Sequence, residues 1–383
     1  MESTAPGKTT PVTIIGASIA GLYAGYRLAK QGIPITLYEA RPALNPAART
    51  LIVTPQWLRL LDFDAGDAVL NRIHAFELVS RSESARVPLK EPDLILERRR
   101  FVSLLSRKLE SAGGSIQVGH RLEKMVPIGT GYELHLSNGA GTMRASAPRV
   151  IGADGIHSVA ARAVCTGEPE AVALLQARVS TPRDLDHGTV RVFFDRQRTR
   201  FFYWLIPESP RTAVVGLIHD TPAQAERSLA EFVAERGLEP AEYQAAQAPT
   251  PSFRPNGCAA NGRLALVGDA AAQVKTTTVG GVVTGMRGAQ AAVKAIAGQT
   301  PYPRELRPLR RELNAHTVMR AVLDGFTDED YDSLLRLLNQ GTSAILAHHT
   351  RDELARGLLW RLVRAQPRWL TLTARVLLRR LTL

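Results

Sequence analysis

The chain has 383 residues, 45% of them hydrophobic, which is enough for two intertwined domains with sizeable cores. Its formal net charge is +12. Its two cysteines, Cys165 and Cys258, form no C-x-x-C pair, which argues against a disulfide framework, a dithiol centre and a zinc site, so we expect no metal and a reducing cytoplasm. A positive charge of this size is typical of proteins that bind nucleic acid, an anionic substrate or an anionic membrane. Because the sequence has no recognisable nucleic-acid-binding motif, we expect no nucleic-acid partner.

The first segment with chemical content covers residues 12–39. A short apolar run predicts a buried strand, Gly16-x-Ser18-x-x-Gly21 predicts a tight turn, and the apolar spacing that follows predicts a helix. A second predicted strand ends at Glu39, close to the distance at which an acid reaches the ribose of a bound adenosine. This pattern indicates dinucleotide binding, although an ordinary strand–turn–helix corner has the same local form. Ser18 replaces the middle glycine but still presents a small side chain to a pyrophosphate.

The chain then leaves the predicted nucleotide-binding sheet. Three prolines between residues 42 and 55 break any helix, and a helical pattern returns only after Arg98. Residues 132–136 and 144–147 predict a hairpin-like pair. The next motif is a strand that runs into Gly152-x-Asp154-Gly155. Asp154 is either a helix N-cap or part of a ligand site.

Residues 171–255 predict a substrate domain. Strands are expected at residues 189–194, 201–206 and 212–219, followed by an amphipathic helix at 222–236. We expect Phe193, Phe202 and Trp204 to form an apolar wall over the ligand, although alternating aromatic residues are also typical of a core strand. Residues 74–95 are expected to add strands to the same sheet.

Residues 263–285 are the third segment with chemical content. The pattern predicts a strand, the turn Gly268-Asp269, a threonine-rich loop with Thr277 and Thr278, and Gly280-Gly281 before a helix. Backbone N–H groups and the positive end of a helix would lie beside a ligand there. Lys275 either adds a positive charge to this site or is solvated, and we favour the second interpretation.

In this order, residues 16–39, 151–158 and 264–269 resemble the three FAD motifs of glutathione-reductase-type flavoproteins in the aromatic hydroxylase superfamily. The resemblance implies that Asp269 hydrogen-bonds the ribityl chain of FAD and that Asp154-Gly155 lies by the pyrophosphate. It also implies that Arg98 matches the arginine before the helix that borders FAD. The cofactor-binding candidates are Gly16, Ser18, Ile19, Ala20, Gly21, Glu39, Ala40, Arg41, Arg49, Arg98, Asp154, Gly155, Gly268, Asp269, Gly280, Gly281 and Val282.

Within that superfamily, residues 268–281 are similar to the motif Gly-Asp-Ala-Ala-Gly-x-Val-Lys-Pro-Thr-Thr-Gly-Gly-Gly of the geranylgeranyl reductase family. This chain departs from it at Ala272, Thr276 and Val279. Residues 202–208 are similar to the Tyr-x-Trp-x-Phe-Pro-Lys substrate-pocket motif of the same family, with Glu208 reversing the last charge. The substrate-binding candidates are Phe193, Phe202, Trp204, Thr277 and Thr278.

The resemblance implies an FAD-dependent oxidoreductase that reduces carbon–carbon double bonds of a prenyl substrate, with NAD(P)H or a reductase as electron donor. An FAD-dependent aromatic monooxygenase or halogenase and a non-redox flavoenzyme of the lycopene cyclase kind remain alternatives. The loop after Glu39 lacks the cysteine and glycine cluster that is usual in geranylgeranyl reductases, and it resembles the corresponding loop of hydroxylases more closely. This departure from the family concerns the substrate more than the cofactor. The sequence indicates no proton donor.

The C-terminal region is predicted to be helical, with helices at residues 306–324 and 328–339 and Asp328 as an N-cap. Seven arginines and no acidic residue follow Glu353. Such basic amphipathic helices either lie on an anionic membrane or pack on the protein itself. Since no signal peptide or membrane-spanning run is found, we expect a cytoplasmic protein, with peripheral membrane contact left open.

These predictions combine into an α/β fold of the glutathione-reductase type. It has an FAD-binding Rossmann-like domain interleaved with a β-sheet substrate domain and a helical C-terminal region. We expect the FAD-binding domain at residues 10–73, 96–170 and 256–300, the substrate domain at 74–95 and 171–255, and the helical region at 301–383.

Overall fold

The computed structural model describes residues 10–164, 170–250, 262–347, 352 and 356–381. Cys165 and Cys258 lie outside these residues. The strands are β1 Val12–Ile15, β2 Ile35–Glu39, β3 Thr50–Val53, β4 Val69–Val79, β5 Ser84–Glu97, β6 Ser115–Val118, β7 Arg121–Ile128, β8 Gly131–Asn138, β9 Gly141–Ala147, β10 Arg149–Gly152, β11 Ala171–Ser180, β12 Thr189–Phe193, β13 Tyr203–Pro207, β14 Thr212–His219, β15 Glu242–Pro249 and β16 Leu264–Leu266.

The α-helices are α1 Ile19–Ala29, α2 Gln56–Leu60, α3 Arg98–Ser111, α4 Val159–Arg162, α5 Pro222–Glu235, α6 Val282–Ile296, α7 Tyr302–Glu305, α8 Arg307–Leu323, α9 Asp328–Leu337, α10 Ser343–Ala347, α11 Arg356–Ala365 and α12 Arg368–Leu381. Two short 3₁₀ turns lie at Gly66–Ala68 and Gly268–Ala271, and a π-helical segment covers Leu338–Thr342.

The first sheet is parallel and has the strand order β16-β10-β1-β2-β6. Its central strands are short and apolar because helices cover the sheet. Helix α1 connects β1 to β2 and packs against α3 and α6. Since all five strands run in the same direction, the turns after β1, β2, β10 and β16 meet at one edge of the sheet. The three FAD motifs of the sequence therefore meet at this edge.

The second sheet is mixed, with the strand order β15-β11-β14-β13-β12-β4-β5-β3. Strands β12 and β4 pair in parallel, and the other pairs are antiparallel. Helix α5 covers one face, where it packs on β11 and β14. The opposite face packs against residues of the C-terminal helices. Strands β4 and β5 join this sheet, as the sequence predicts for residues 74–95.

The third sheet is the antiparallel meander β7-β8-β9. Tyr132 pairs with Ala147 and Leu136 with Met143, so the predicted hairpin-like pair is confirmed. Apolar side chains of this sheet pack on β10 and α4. The combination of the parallel sheet, the meander and the separate mixed sheet confirms the predicted fold class.

Helix α12 packs on the protein through an ion-pair cluster. Asp330 in α9 is 1% exposed and contacts Arg375 at 2.5 Å and Arg379 at 2.7 Å. Two of the tail arginines therefore bind the protein itself. The N-cap of α9 is Thr327 and not Asp328, the residue predicted from the sequence. Asp330 completes the capping box with Thr327. No helix of the described residues is long and apolar enough to cross a membrane.

The Asp330 cluster predicts a pH-dependent stability. Burial raises the pKa of Asp330, but the Arg379 hydrogen bond, the Thr327 N–H and the Arg375 charge outweigh it and hold the pKa below its usual value. A depressed pKa stabilises the fold above the unfolded value of about 3.9, and this contribution is lost as pH falls through the folded pKa. We expect Asp330→Asn to lower the melting temperature at neutral pH and the difference from wild type to shrink below about pH 4.

The matched control is Glu226→Gln on the exposed side of α5, which should melt like wild type at each pH. A deficit of Asp330→Asn that stays constant down to acid pH would contradict an ion-pair contribution.

Candidate active site

The turn between β1 and α1 is held against the end of β10. Gly16 has φ +97°, and a Cβ built on it would lie 2.5 Å from the carbonyl oxygen of Ala153. A Cβ on Gly21 would lie 2.3 Å from the carbonyl oxygen of Gly16. The Ser18 side chain caps α1 by accepting a hydrogen bond from the Gly21 N–H at 3.2 Å. Both glycines are therefore required by backbone packing, and the N-terminus of α1 points to the sheet edge.

Glu39 is the acid at the end of β2. Its carboxylate accepts hydrogen bonds from the N–H of Ala17 at 2.8 Å and from the N–H and Nε of Arg41 at 3.0 and 2.9 Å. Burial raises the pKa of Glu39, but these donors outweigh it and the pKa lies below its usual value. Glu39 is thus an ionised carboxylate anchored to the β1–α1 turn, and Ala40 and Arg41 continue the chain along this edge.

A cavity of about 680 Å³ lies between the carboxyl edge of the parallel sheet and the inner face of the mixed sheet. Most of the predicted site residues line it: Ser18, Ile19, Ala20, Arg49, Arg98, Gly155, Phe202, Trp204, Gly268, Asp269, Thr277, Thr278, Gly280, Gly281 and Val282. The predicted residues that do not line it are Gly16, Gly21, Glu39, Ala40, Arg41, Asp154 and Phe193.

Phe193 is a correction to the sequence analysis. Neighbouring residues of a strand point to opposite faces, and Val190 and Val192 of β12 line the cavity. Phe193 lies on the other face, where its ring meets Phe232 of α5 at 5.2 Å between centroids. It therefore belongs to the core under α5 and forms no wall of the cavity.

Asp154 accepts hydrogen bonds from the start of helix α4. Its carboxylate accepts hydrogen bonds from the Ser158 hydroxyl at 2.5 Å and from the N–H groups of Val159 and Ala160 at 2.8 and 3.2 Å. The N-cap position itself is occupied by Ser158, whose hydroxyl accepts from the Ala161 N–H, so the predicted N-cap role of Asp154 is corrected. Gly155, by contrast, faces the cavity with φ +82°, and a Cβ built on it would meet no atom within 4 Å.

Two arginines and one carboxylate define the polar end of the cavity. Burial lowers the pKa of Arg49 to about 10, with Arg98 acting in the same direction and Asp269 opposing. Burial also lowers the pKa of Arg98. Burial raises the pKa of Asp269, and both arginines oppose this rise. Two half-buried cations around one carboxylate leave a positive excess that favours an anionic ligand.

The loop from Gly268 to Gly281 is held by its own hydrogen bonds. The Gln273 side chain accepts from the Gly268 N–H at 2.8 Å and donates to the Tyr302 hydroxyl at 3.2 Å. Lys275 and Gly280 form an isolated β-bridge. Ala272 and Val279 have φ values of 49° and 53°, a region that favours glycine. Both replace a glycine of the family motif, and both adopt a backbone conformation that glycine reaches without strain.

Helix α6 begins at the cavity without a side-chain cap. Its N-cap is Gly281, and Gly281, Val282 and Val283 all line the cavity. The buried hydroxyl of Thr278 also has no hydrogen-bond partner among the described residues. Uncapped N–H groups at a helix N-terminus, an unpartnered hydroxyl and the excess positive charge fit the phosphates and the polar ring edge of FAD.

The rest of the cavity is apolar. It is closed by the inner face of the mixed sheet and by α8. No site residue was predicted in α8. The apolar lining includes Phe76, Leu78, Val87, Leu89, Leu174, Val190, Val192, Phe194, Phe202, Trp204, Ile206, Met319 and Leu323.

A buried histidine was missed by the sequence analysis. His316 of α8 is 2% exposed, lines the cavity and shares a 2.7 Å hydrogen bond between its Nδ1 and the Thr277 hydroxyl. Burial lowers the pKa of His316 to about 3; Lys275 adds to this effect and Asp352 opposes it. His316 is therefore neutral at physiological pH. Nothing in the spacing of α8 marks it, because its role depends on contact with a distant loop.

Lys275 is a second correction. The local sequence favours a solvated lysine, but Lys275 is 5% exposed, lines the cavity and forms an ion pair with the buried Asp352. Lys275 can be buried because Asp352, 77 residues further along the chain, removes the cost of burying an unpaired ammonium group.

The fold and the site define the chain as an FAD-dependent flavoprotein. The sequence model of the family described as "FAD binding domain" matches residues 9–300, and the chain belongs to this family. FAD is its cofactor, and the family assigns it to the FAD-dependent oxidoreductases, which use a small-molecule substrate and an electron donor.

Among its relatives is digeranylgeranylglycerophospholipid reductase 2 of Methanothermobacter thermautotrophicus, 26% identical over 354 residues, or 85% of this chain and 91% of the relative. Another is 3-amino-4-hydroxybenzoate 2-monooxygenase of Streptomyces cremeus, 27% identical over 211 residues, or 51% of each chain. The geranylgeranyl bacteriochlorophyll reductase-like structure from Thermoplasma acidophilum aligns with a TM-score of 0.77 at 17% identity, covering 96% of this chain and 99% of that one. This last likeness supports the fold.

Proposed function

We propose that this protein reduces carbon–carbon double bonds of a prenyl substrate of the geranylgeranyl type. The observation that carries the proposal is that one cavity combines a polar, cationic end with a mostly apolar lining. An isoprenoid chain offers no polar group to that lining, so the hydrophobic effect supplies its binding energy. The digeranylgeranylglycerophospholipid reductases among its relatives support the same substrate class.

We further propose how the chain holds FAD. Arg49, Arg98 and the N-termini of α1 and α6 bind its negatively charged and polar groups, and Asp269 accepts from the ribityl hydroxyls. Gly155 leaves room for the close approach of the cofactor. Glu39, with Ala40 and Arg41, binds the adenosine end beyond the cavity.

Reduced FAD, when bound, supplies a hydride to one carbon of the alkene. Phe202 and Trp204 orient the prenyl chain, and the apolar lining excludes water from the reacting carbon atoms. Thr277 and Thr278 also line the cavity. Thr277 is held in place by His316.

The domain division is part of this proposal. Residues 10–73, 96–170 and 256–300 would form the FAD-binding domain, residues 74–95 and 171–255 the substrate domain, and residues 301–383 a helical region that closes the cavity. His316, Met319 and Leu323 of α8 support this closing role. Membrane contact would use the basic residues of the tail that Asp330 does not bind.

The test is anaerobic reduction of the FAD-loaded protein followed by mixing with vesicles that contain a digeranylgeranyl glycerolipid. We expect rapid reoxidation of the flavin without oxygen and a lipid that gains two hydrogens per reduced double bond. The fully saturated lipid is the matched control, because it enters the cavity but cannot accept a hydride.

A second candidate, an aromatic monooxygenase, is supported by the Streptomyces cremeus relative. Reoxidation that requires oxygen and yields a hydroxylated aromatic product would overturn the proposal in its favour; a halogenated product would indicate a halogenase. An isomerised lipid without net loss of reductant would indicate a cyclase-like reaction.

A further inference from the structure

Lys275 lies between the cavity and a buried carboxylate. Its ammonium group pairs with Asp352, which is fully buried and also accepts a hydrogen bond from the Thr54 hydroxyl. The lysine stem passes over Gly280, since a Cβ built on Gly280 would lie 3.3 Å from the Lys275 Cε and 3.6 Å from its Nζ. The ammonium is therefore held beside the glycine pair that begins α6.

The other titratable groups of the cavity are poor proton sources or, in the case of Asp269, are assigned to the cofactor. Among the described lining residues these are Arg49, Arg98, Asp269, His316, Arg320 and Tyr331. Guanidinium groups keep their protons under physiological conditions, and burial raises the pKa of Tyr331. His316 is neutral. Burial raises the pKa of Asp269 against the charges of Arg49 and Arg98, but the proposed function assigns the Asp269 side chain to the ribityl hydroxyls of FAD. Lys275 is the one lining ammonium of the described residues.

We propose that Lys275 is the proton donor of the reduction, acting as a catalytic residue that contacts the second alkene carbon. This inference rests on the proposed function. The hydride goes to one alkene carbon, an N–H bond of Lys275 breaks, and a C–H bond forms at the other carbon. The products are the saturated bond, oxidised FAD and a neutral lysine amine, which regains a proton from water before the next turnover. Asp352 and Thr54 position the amine through this cycle.

The decisive variant is Lys275→Arg, because arginine keeps the positive charge and the ion pair with Asp352 but releases its proton far less readily. We expect anaerobic reoxidation of the pre-reduced variant by the digeranylgeranyl lipid to be about 100-fold slower or more, the range of general acid catalysis. FAD content, flavin absorbance and melting temperature should stay close to those of wild type. The matched control is Lys294→Arg, on the outer side of α6 and paired with Glu305, which should keep the wild-type rate.

A second variant separates proton donation from charge. Lys275→Ala leaves space beside Asp352, and added ethylammonium should restore at least about tenfold of the lost rate as a general acid. Ethylguanidinium carries the same charge but is a weaker acid, and it should restore little. Equal rescue by both cations, or a Lys275→Arg variant that reoxidises as fast as wild type, would overturn the assignment. If wild type itself is not reoxidised by the lipid, the proposed function fails instead.

Discussion

Replacing Arg49 and Arg98 together with methionine is expected to weaken FAD binding by about 10²–10⁴-fold. A hydrogen bond to a charged group contributes about 1.5–3 kcal/mol, and each 1.4 kcal/mol corresponds to about tenfold in affinity. Both guanidinium groups are half-buried at the cavity, and burial already lowers the pKa of each. They therefore gain more from an anionic ligand than exposed arginines would, and methionine keeps much of their apolar volume.

The charge-matched control is the double variant Arg59→Met and Arg100→Met. Arg59 pairs with the exposed Glu91, and Arg100 is exposed on the same helix as Arg98, so the net charge falls equally without a change in the cavity. Titration of the apoprotein with FAD, followed by flavin fluorescence, measures both affinities. An unchanged affinity in the cavity variant would show that the negative groups of FAD bind elsewhere.

Gly16→Ala is expected to destabilise the protein by more than about 3 kcal/mol, because a positive φ and a backbone clash act together. The added Cβ would lie 2.5 Å from the Ala153 oxygen, and neither strand β1 nor strand β10 is free to move in the centre of the parallel sheet. The same change should abolish FAD binding, since it displaces the N-terminus of α1 from the cavity.

Gly113→Ala is the matched control for this variant. Gly113 has φ +89°, close to the +97° of Gly16, but a Cβ there would meet no atom within 4 Å. We expect Gly113→Ala to lower the free energy of unfolding only by the cost of a left-handed backbone conformation, about 1–2 kcal/mol. Urea unfolding of both variants measures the difference, and similar losses of stability would mean that the contact with Ala153 is relieved without strain.

Much of the cavity lining at the edge of the parallel sheet could be predicted from the sequence, because these residues lie in short segments that follow strands. Gly16 to Gly21, Asp154-Gly155 and Gly268-Asp269 each follow a strand directly, so the parallel direction of β1, β10 and β16 brings them to one edge. The strand–turn–helix pattern is a local property of the chain. The same reasoning predicted the hairpin pair of β8 and β9.

The predictions on individual side chains were less successful where they depended on distant partners. Phe193 was expected to line the cavity, but the position of α5 makes its face of β12 a separate core. Lys275 was expected to be solvated because Asp352 was not recognised as its partner. His316 was missed because only the docking of α8 brings it to Thr277.

The sequence alone determined the class of cofactor and the fold class, because strands, turns and small residues at fixed spacing are local signals. Only the tertiary structure decided which residues enclose the cavity and which charges are buried in it, because these follow from contacts between segments far apart in the chain. Lys275 shows the physical reason. The stability of a buried ammonium depends on an ion pair with Asp352, and no property of the residues around position 275 encodes that partner.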